Sequence, residues 1–278
     1  MKTVNSLSGG KTSSYIAANY PADYDVFSLV RTSDKNCMYP DKKLRQIVSD
    51  KIGTEFIGTL EDDVIIHTML DLEQYIGREI TWVTGKTFDK IITQKGNYLP
   101  NKIARYCTTE LKTIPILTWI HKQLKEAVVM RFGYRANETK RASKMLEKTD
   151  SEGFTNVKAT FKKHKDGRNA WDVYRYCKPD FPLIKDNIYK DTIESYWTDK
   201  NVRFAYMNNC VGCWWRSPLL LKKMSNKHPK KMKWFADQET NKSKWRSDVM
   251  YKDIISWNTQ TELFDDDFNE CDSGYCGL

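Results

Sequence analysis

The sequence predicts an α/β protein with a doubly wound parallel sheet and a smaller helical, cysteine-bearing C-terminal region. Two observations carry this. Short apolar strands alternate with helix-patterned segments through the first half of the chain, and a glycine-containing turn, Ser8-Gly9-Gly10, stands where the first strand gives way to the first helix. In order, Thr3–Leu7 reads as a strand, Lys11–Tyr20 as a helix stopped by Pro21, and Asp25–Val30 (DVFSLV) as a second strand. Pro40–Ile52 reads as a helix, Glu55–Ile57 as a short strand and Glu61–Ile76 as a further helix. Glu79–Val83 (EITWV) is a strand, Thr109–Lys125 an amphipathic helix, and Ala127–Phe132 (AVVMRF) an apolar strand ending at Gly133. Residues 141–170 are polar and basic, which predicts a loop or hairpin. The chain thus divides into an α/β domain over 1–140, this basic segment, and a helical region over 171–278.

Apolar residues make up 40% of the 278 positions, enough to build a core, and the formal net charge is +9. A basic chain favours anionic partners such as nucleotides, sulfate or nucleic acid, although a lysine-rich solvated surface has the same composition. No run of about 18 apolar residues marks a membrane span, and the N-terminus enters a strand without the apolar stretch of a signal peptide. The expectation is a cytoplasmic protein with no membrane partner. Its seven cysteines are then better read as thiols, catalytic groups or metal ligands than as disulfides.

The first loop has the physics of an anion site. Two glycines permit a sharp turn and close approach of a ligand, and the helix start presents N–H groups. Ser6, Ser8, Thr12 and Ser13 add hydroxyls and Lys11 adds charge. The Gly-Lys-Thr tail suggests a Walker A loop, but that motif needs glycine where Asn5 stands. An ordinary helix N-cap is the plain alternative.

Four further stretches give the loop a context. Ser8-Gly-Gly-Lys-Thr-Ser13 resembles the PP-loop, SGGxDS, of the N-type ATP pyrophosphatases, the adenine nucleotide α-hydrolase superfamily. Arg105-Tyr-Cys107-Thr-Thr-Glu-Leu-Lys112-Thr-Ile-Pro115 resembles the R-x-C-T-x-x-L-K-x-x-P segment of phosphoadenosine phosphosulfate (PAPS) reductase-like proteins. Gly133-Tyr-Arg135-Ala-Asn-Glu138-Thr-Lys-Arg141 resembles their G-x-R-x-x-E-x-x-R segment, and Phe181-Pro182-Leu183-Ile184 their later "PL" element. Asn209-Cys210-Val-Gly-Cys213 is similar to a cysteine pair of the phage and DNA-phosphorothioation branches. The ordered matches span roughly residues 3–240. One position departs: Thr12 stands where the PP-loop usually has Asp, so the sequence supports anion binding more strongly than pyrophosphate release.

The resemblance implies a PP-loop fold over 1–140 that binds ATP or an adenylyl sulfate, with Mg as an accompanying ion. It implies sulfur chemistry, either substrate adenylation followed by sulfur transfer or reduction of a sulfonucleotide. A cysteine desulfurase or a thiol reductant would be the partner, and nucleic acid a candidate substrate. Gly133 would face the loop, and Arg135 and Arg141 would grip phosphate or sulfate. Glu138 would fix those arginines or bind a metal, and Lys112 would add charge. Thr32 and Ser33, after the second strand, would line the adenine or ribose pocket. Solvated surface charges are the plain alternative for this segment. A non-catalytic nucleotide- or nucleic-acid-binding protein on the same fold is the alternative function.

Cys210 and Cys213 are spaced C-x2-C, and Cys271 and Cys276 close a second pair, an arrangement suited to zinc or an iron–sulfur cluster. In iron–sulfur members of the PAPS reductase-like family a cysteine at the place of Cys107 ligates a [4Fe–4S] cluster. Two ligand sets therefore remain open: Cys210, Cys213, Cys271 and Cys276, or Cys107, Cys210, Cys213 and one tail cysteine. Glu270-Cys271 resembles the catalytic tail of sulfonucleotide reductases, making Cys271 a candidate nucleophile, but the Gly and His of that tail are missing. Cys37 follows the second strand near the expected pocket, Cys177 reads as a packed thiol, and the four histidines show no ligand spacing. The lysine- and tryptophan-rich stretch after Trp214 reads as helices with Trp inward and Lys outward, ahead of a nucleic-acid surface.

Overall fold

The computed structural model describes residues 1–258. Parallel strands β1 (Thr3–Leu7), β2 (Tyr24–Ser28), β3 (Ile80–Val83), β4 (Val128–Arg131) and β6 (Asn169–Asp180) form a sheet closed at one edge by antiparallel β5 (Thr155–Lys163). The strand order is β3-β2-β1-β4-β6-β5. Successive strands step outward from β1 to β3, and the chain then returns to place β4 on the other side of β1. That reversal at β1 is the topological switch point of a doubly wound sheet, where ligands characteristically bind at the C-terminal strand ends.

The helices are α1 (Lys11–Asn19), α2 (Lys42–Ile52), α3 (Val64–Ile76), α4 (Phe88–Gln94), α5 (Tyr106–Thr108), α6 (Ile114–Trp119), α7 (Thr139–Leu146), α8 (Pro182–Lys185), α9 (Lys190–Trp197), α10 (Pro218–Lys227), α11 (Pro229–Asp237) and α12 (Tyr251–Ser256). Asp41 caps α2 by accepting from the N–H groups of Lys43 and Leu44, and Gly53 ends it in the left-handed conformation. The predicted helix over 109–125 is present but uneven, with wide π turns at 109–113 and 120–124 flanking α6. Pro115 brings no N–H to the ladder at the first of these, which breaks regular α pairing there. Residues 55–57 belong to no strand; instead Gly58 makes single bridges to Thr32 and Met38. None of the helices among the described residues is long and apolar enough to cross a membrane.

The chain builds two compact units, each from three segments. One comprises residues 1–28, 66–83 and 113–204; the other holds 29–65, 84–112 and 205 onward. The first unit contains the sheet, with Val4, Val26, Val128, Met130, Leu117 and Cys177 in its core, all at most 1% exposed. Each such apolar side chain contributes about 1.5–3 kcal/mol on burial. The second unit has its own aromatic core, in which Phe235 and Trp245 lie 5.0 Å apart with Phe88 and Trp234 around them. Trp214, Trp234 and Trp245 all point inward. Lysines do not all face out, however: Lys222 and Lys231 are buried and pinned to the carbonyls of Ile255 and Glu61.

Candidate nucleotide site and cysteine site

In the sheet-bearing unit, β1 ends at Leu7 and the chain turns through Ser8 and Gly9, whose φ of 80° suits glycine. Gly10 is the N-cap of α1, so no side chain covers the helix N-terminus, and no acidic residue sits in its first turn. The loop is braced from within. The Ser8 N–H donates to Ser13 Oγ at 3.1 Å, and Ser13 Oγ donates to the Gly10 carbonyl at 3.1 Å. Ser6 stays in the strand, paired with Val26. Asn5, the residue that excludes a Walker A loop, is fully buried and donates to Asp25 at 2.8 Å and to the Tyr20 carbonyl at 2.9 Å. It serves the sheet, not a ligand.

The chain leaving β4 comes against this loop. A Cβ on Gly133 would lie 3.5 Å from the Ser13 nitrogen, in ordinary contact, and 3.3 Å from Thr12 Cγ2, tight enough that the Thr12 methyl would have to shift slightly. Two residues on, Arg135 and Arg141 share one carboxylate. Glu138 Oε2 accepts from Arg135 Nε at 3.2 Å, and Oε1 accepts from Arg141 Nη1 at 3.0 Å. The Arg135 backbone N–H also donates to Oε2 at 2.9 Å, and Arg141 stacks 4.1 Å over the Tyr134 ring. All three ionic side chains are less than one-fifth exposed. One carboxylate between two guanidiniums leaves a net positive, pre-shaped patch suited to a divalent oxyanion.

Lys11 is held in a way the sequence did not announce. Its ammonium pairs with Glu194 on α9, and its carbonyl accepts from Trp197 Nε1 at 3.0 Å. Glu194 and Trp197 stand three apart on one helical face, a pattern with no local sign that it meets a residue more than 180 positions earlier. Replacing Glu194 by Gln should free the Lys11 amine and tighten ATP binding by up to about fivefold, the worth of a partly exposed pair. Equilibrium dialysis measures this; an affinity that falls would refute the competition.

The second unit holds Cys37, Cys107, Cys210 and Cys213, while Cys177 lies in the sheet core of the first. Cys107 on α5, Cys210 and Cys213 line one apolar cavity together with Lys112, Trp214 and Phe235. The Cys213 N–H donates to the Cys210 carbonyl at 3.1 Å, a tight turn that presents both side chains. A Cβ on Gly212 would fall 2.4 Å from the Phe235 ring, so no other residue fits between the two cysteines without movement. Lys112 donates to Glu61 Oε1 at 3.0 Å; Glu61 is 1% exposed, and its Oε2 has no partner among the described residues. Arg216, also buried, donates through Nη2 to the Cys210 and Asn208 carbonyls, while its Nε and Nη1 find no partner among the described residues. Neither Glu61 nor Arg216 was singled out in the sequence; the Arg216 position directly after Cys213-Trp-Trp was the one available signal.

Compared with protein-family models and with curated proteins, the sequence matches none.

The fit to a metal centre rests on donor chemistry. Three thiols around an apolar cavity suit iron–sulfur or zinc binding, and a buried guanidinium bonded to the Cys210 carbonyl favours negative charge close by. As placed, no three His, Cys, Asp or Glu residues among the described ones converge on a common point for a metal. Cys271 and Cys276, the remaining candidate ligands and nucleophile, lie outside the described residues. Thr32 and Ser33 belong to this unit and are committed to Asp89: Thr32 Oγ1 donates at 2.7 Å and the Ser33 N–H at 2.7 Å. Burial works to raise the Asp89 carboxyl, yet these hydrogen bonds outweigh it and hold it below the usual carboxylate range. Asp62 behaves alike: burial is outweighed by the His228 hydrogen bond.

The other two described thiols are inert by environment. Burial, with Asp34 nearby, pushes Cys37 up to about 11, and burial pushes Cys177 up to about 12. Both should resist iodoacetamide at pH 8 in the folded protein stripped of metal by a chelator, while Cys107, Cys210 and Cys213 react; peptide mass spectrometry of the alkylated chain checks this.

Proposed function

We propose that this chain is a PAPS reductase-like enzyme of the PP-loop class, working in the cytoplasm, that binds ATP or an adenylyl sulfate for sulfur chemistry. The observation that carries the reading is the close approach of Gly133 to the uncapped start of α1 at the switch point of the sheet, with the Arg135–Glu138–Arg141 group beginning two residues further along the chain. Backbone N–H groups at the start of α1 and the hydroxyls of Ser8, Thr12 and Ser13 would cradle phosphate. Arg135 and Arg141 would hold the charge that develops on it, with Glu138 fixing their angle. Lys11 would exchange Glu194 for the ligand.

Cys107, Cys210 and Cys213 with one tail cysteine would hold a [4Fe–4S] cluster, or zinc in its place; a bound cluster supplies electrons or a binding point for sulfur. Lys112, paired with Glu61, would keep positive charge at that cavity. In the adenylation branch a substrate oxygen attacks the α-phosphorus, pyrophosphate leaves, and a sulfur donor then displaces AMP. Nucleic acid is the substrate class that the basic composition favours there. In the reductive branch the Cys271 thiolate attacks the sulfur of an adenylyl sulfate, AMP leaves, and an external thiol releases sulfite. The absence of Asp at Thr12 favours the alternative of a nucleotide binder without turnover.

Incubation with labelled ATP and, separately, with adenylyl sulfates separates these. AMP with pyrophosphate supports adenylation, sulfite supports reduction, and binding without product supports the binder. Absorbance near 400 nm in anaerobically purified protein reports the cluster.

A further inference from the structure

We propose that the β5–β6 hairpin is a docking arm for single-stranded nucleic acid. Strand β6 pairs with β4 only through Cys177–Asp180; its residues 169–176 pair with β5 alone. At about 3.3 Å per residue the ribbon therefore runs roughly 26 Å past the start of β4. Its root is fixed: His121 stacks on Phe161 with centroids 4.3 Å apart, and Tyr174 packs edge-on against both rings. Beyond that anchor every residue from Lys162 to Asn169 is exposed.

The exposed part has a definite chemistry. Residues 162–168, KKHKDGR, hold four cations and one carboxylate, and that carboxylate, Asp166, pairs with Arg168. The strand behind the tip exposes Trp171 at 57% and Val173 at 63%, with Lys158 opposite Val173 in the ladder. Exposed apolar groups on a cationic ribbon do not serve a core, and lysines beside an open indole match a strand that offers phosphates and an unpaired base face. A duplex hides its base faces, so the indole selects a single strand. The arm also lies at the opposite end of the parallel strands from the nucleotide loop: the loop and Gly133 follow the C-terminal ends of β1 and β4, whereas the arm precedes the paired part of β6. It is therefore a separate surface, and its occupancy does not depend on the nucleotide reading.

Fluorescence anisotropy of the full chain with a labelled mixed-sequence oligodeoxynucleotide, single-stranded and duplex, over a salt series is the test. The variants are K162E/K163E/K165E, its neutral counterpart K162Q/K163Q/K165Q, Trp171→Ala, and K42E/K43E as a charge control on α2. Wild type should prefer the single strand. The triple reversal should weaken binding more than tenfold and flatten the log–log salt slope by roughly two, about 0.7 for each lost phosphate contact. The neutral triple should flatten it similarly, and Trp171→Ala should cost about tenfold. ATP binding should be unchanged in all four. Equal losses from the α2 control, indifference to both ribbon triples, or loss of self-association in place of nucleic-acid binding would each overturn the assignment.

Discussion

Replacing Arg135 by alanine should weaken ATP or adenylyl sulfate binding by about 10- to 100-fold, with the fold intact. The expectation follows from the geometry of one carboxylate. Glu138 divides its two oxygens between Arg135 and Arg141, which holds the two guanidiniums beside one another. Hydrogen bonds to charged groups are worth about 1.5–3 kcal/mol each, which sets the range. Arg135→Lys should recover part of the loss, since it restores charge without the planar fork. Glu138→Gln should also weaken binding, by letting both arginines turn. Isothermal titration of each variant, beside its circular dichroism spectrum, decides the matter; an Arg135→Ala protein that binds ATP as wild type does would remove these arginines from the nucleotide site.

Gly212→Ala should destabilise the protein by about 2–3 kcal/mol, near the top of the range for overpacking a core. The new methyl would sit 2.4 Å from a ring that is itself 1% exposed and boxed by Trp234 and Trp245. Melting temperature should fall by about 5–10 °C. Because Gly212 lies inside the Cys210–Cys213 turn, the displaced backbone should also lower whatever metal the purified protein carries. Shrinking the obstacle, as Gly212→Ala/Phe235→Leu, should restore much of the stability lost to the clash. A Gly212→Ala protein that melts with wild type would show that the ring moves aside freely.

Much of the sheet-bearing unit was legible because its signals are short-range. Strand β4 is an apolar run ended by Gly133, β1 and β2 mix apolar with polar residues but lie beside Gly9 and after Pro21, and α1 starts where the glycines end. The Arg135–Glu138–Arg141 group was legible for the same reason: its partners are three residues apart. What escaped depends on distant pairing. Nothing near Lys11 announces Glu194, and nothing near Cys210 announces that Glu61 would bridge to it. The ribbon strands alternate charge with small or aromatic residues, so their inward face, Val157, Ala159 and Phe161, is too weak a pattern to separate strand from loop. Lys112, Thr32 and Ser33 fall in the second unit and the loop in the first, a division that no local pattern in the sequence marks. A chain that alternates between units at short intervals leaves no compositional edge to mark the passage.

That alternation sets an order of events during synthesis. The sheet-bearing unit draws on residues up to 204, and its partner unit cannot gather its core until the segment from Ala205 onward has emerged. Val30, Leu60, Phe88 and Leu111 must therefore wait, exposed, for Trp214, Phe235 and Trp245 to leave the ribosome. At about 5–20 residues per second, the wait for Trp245 lasts on the order of 10 to 40 s. During that interval the apolar side chains of the second unit's early segments lack the later partners that bury them in the folded chain.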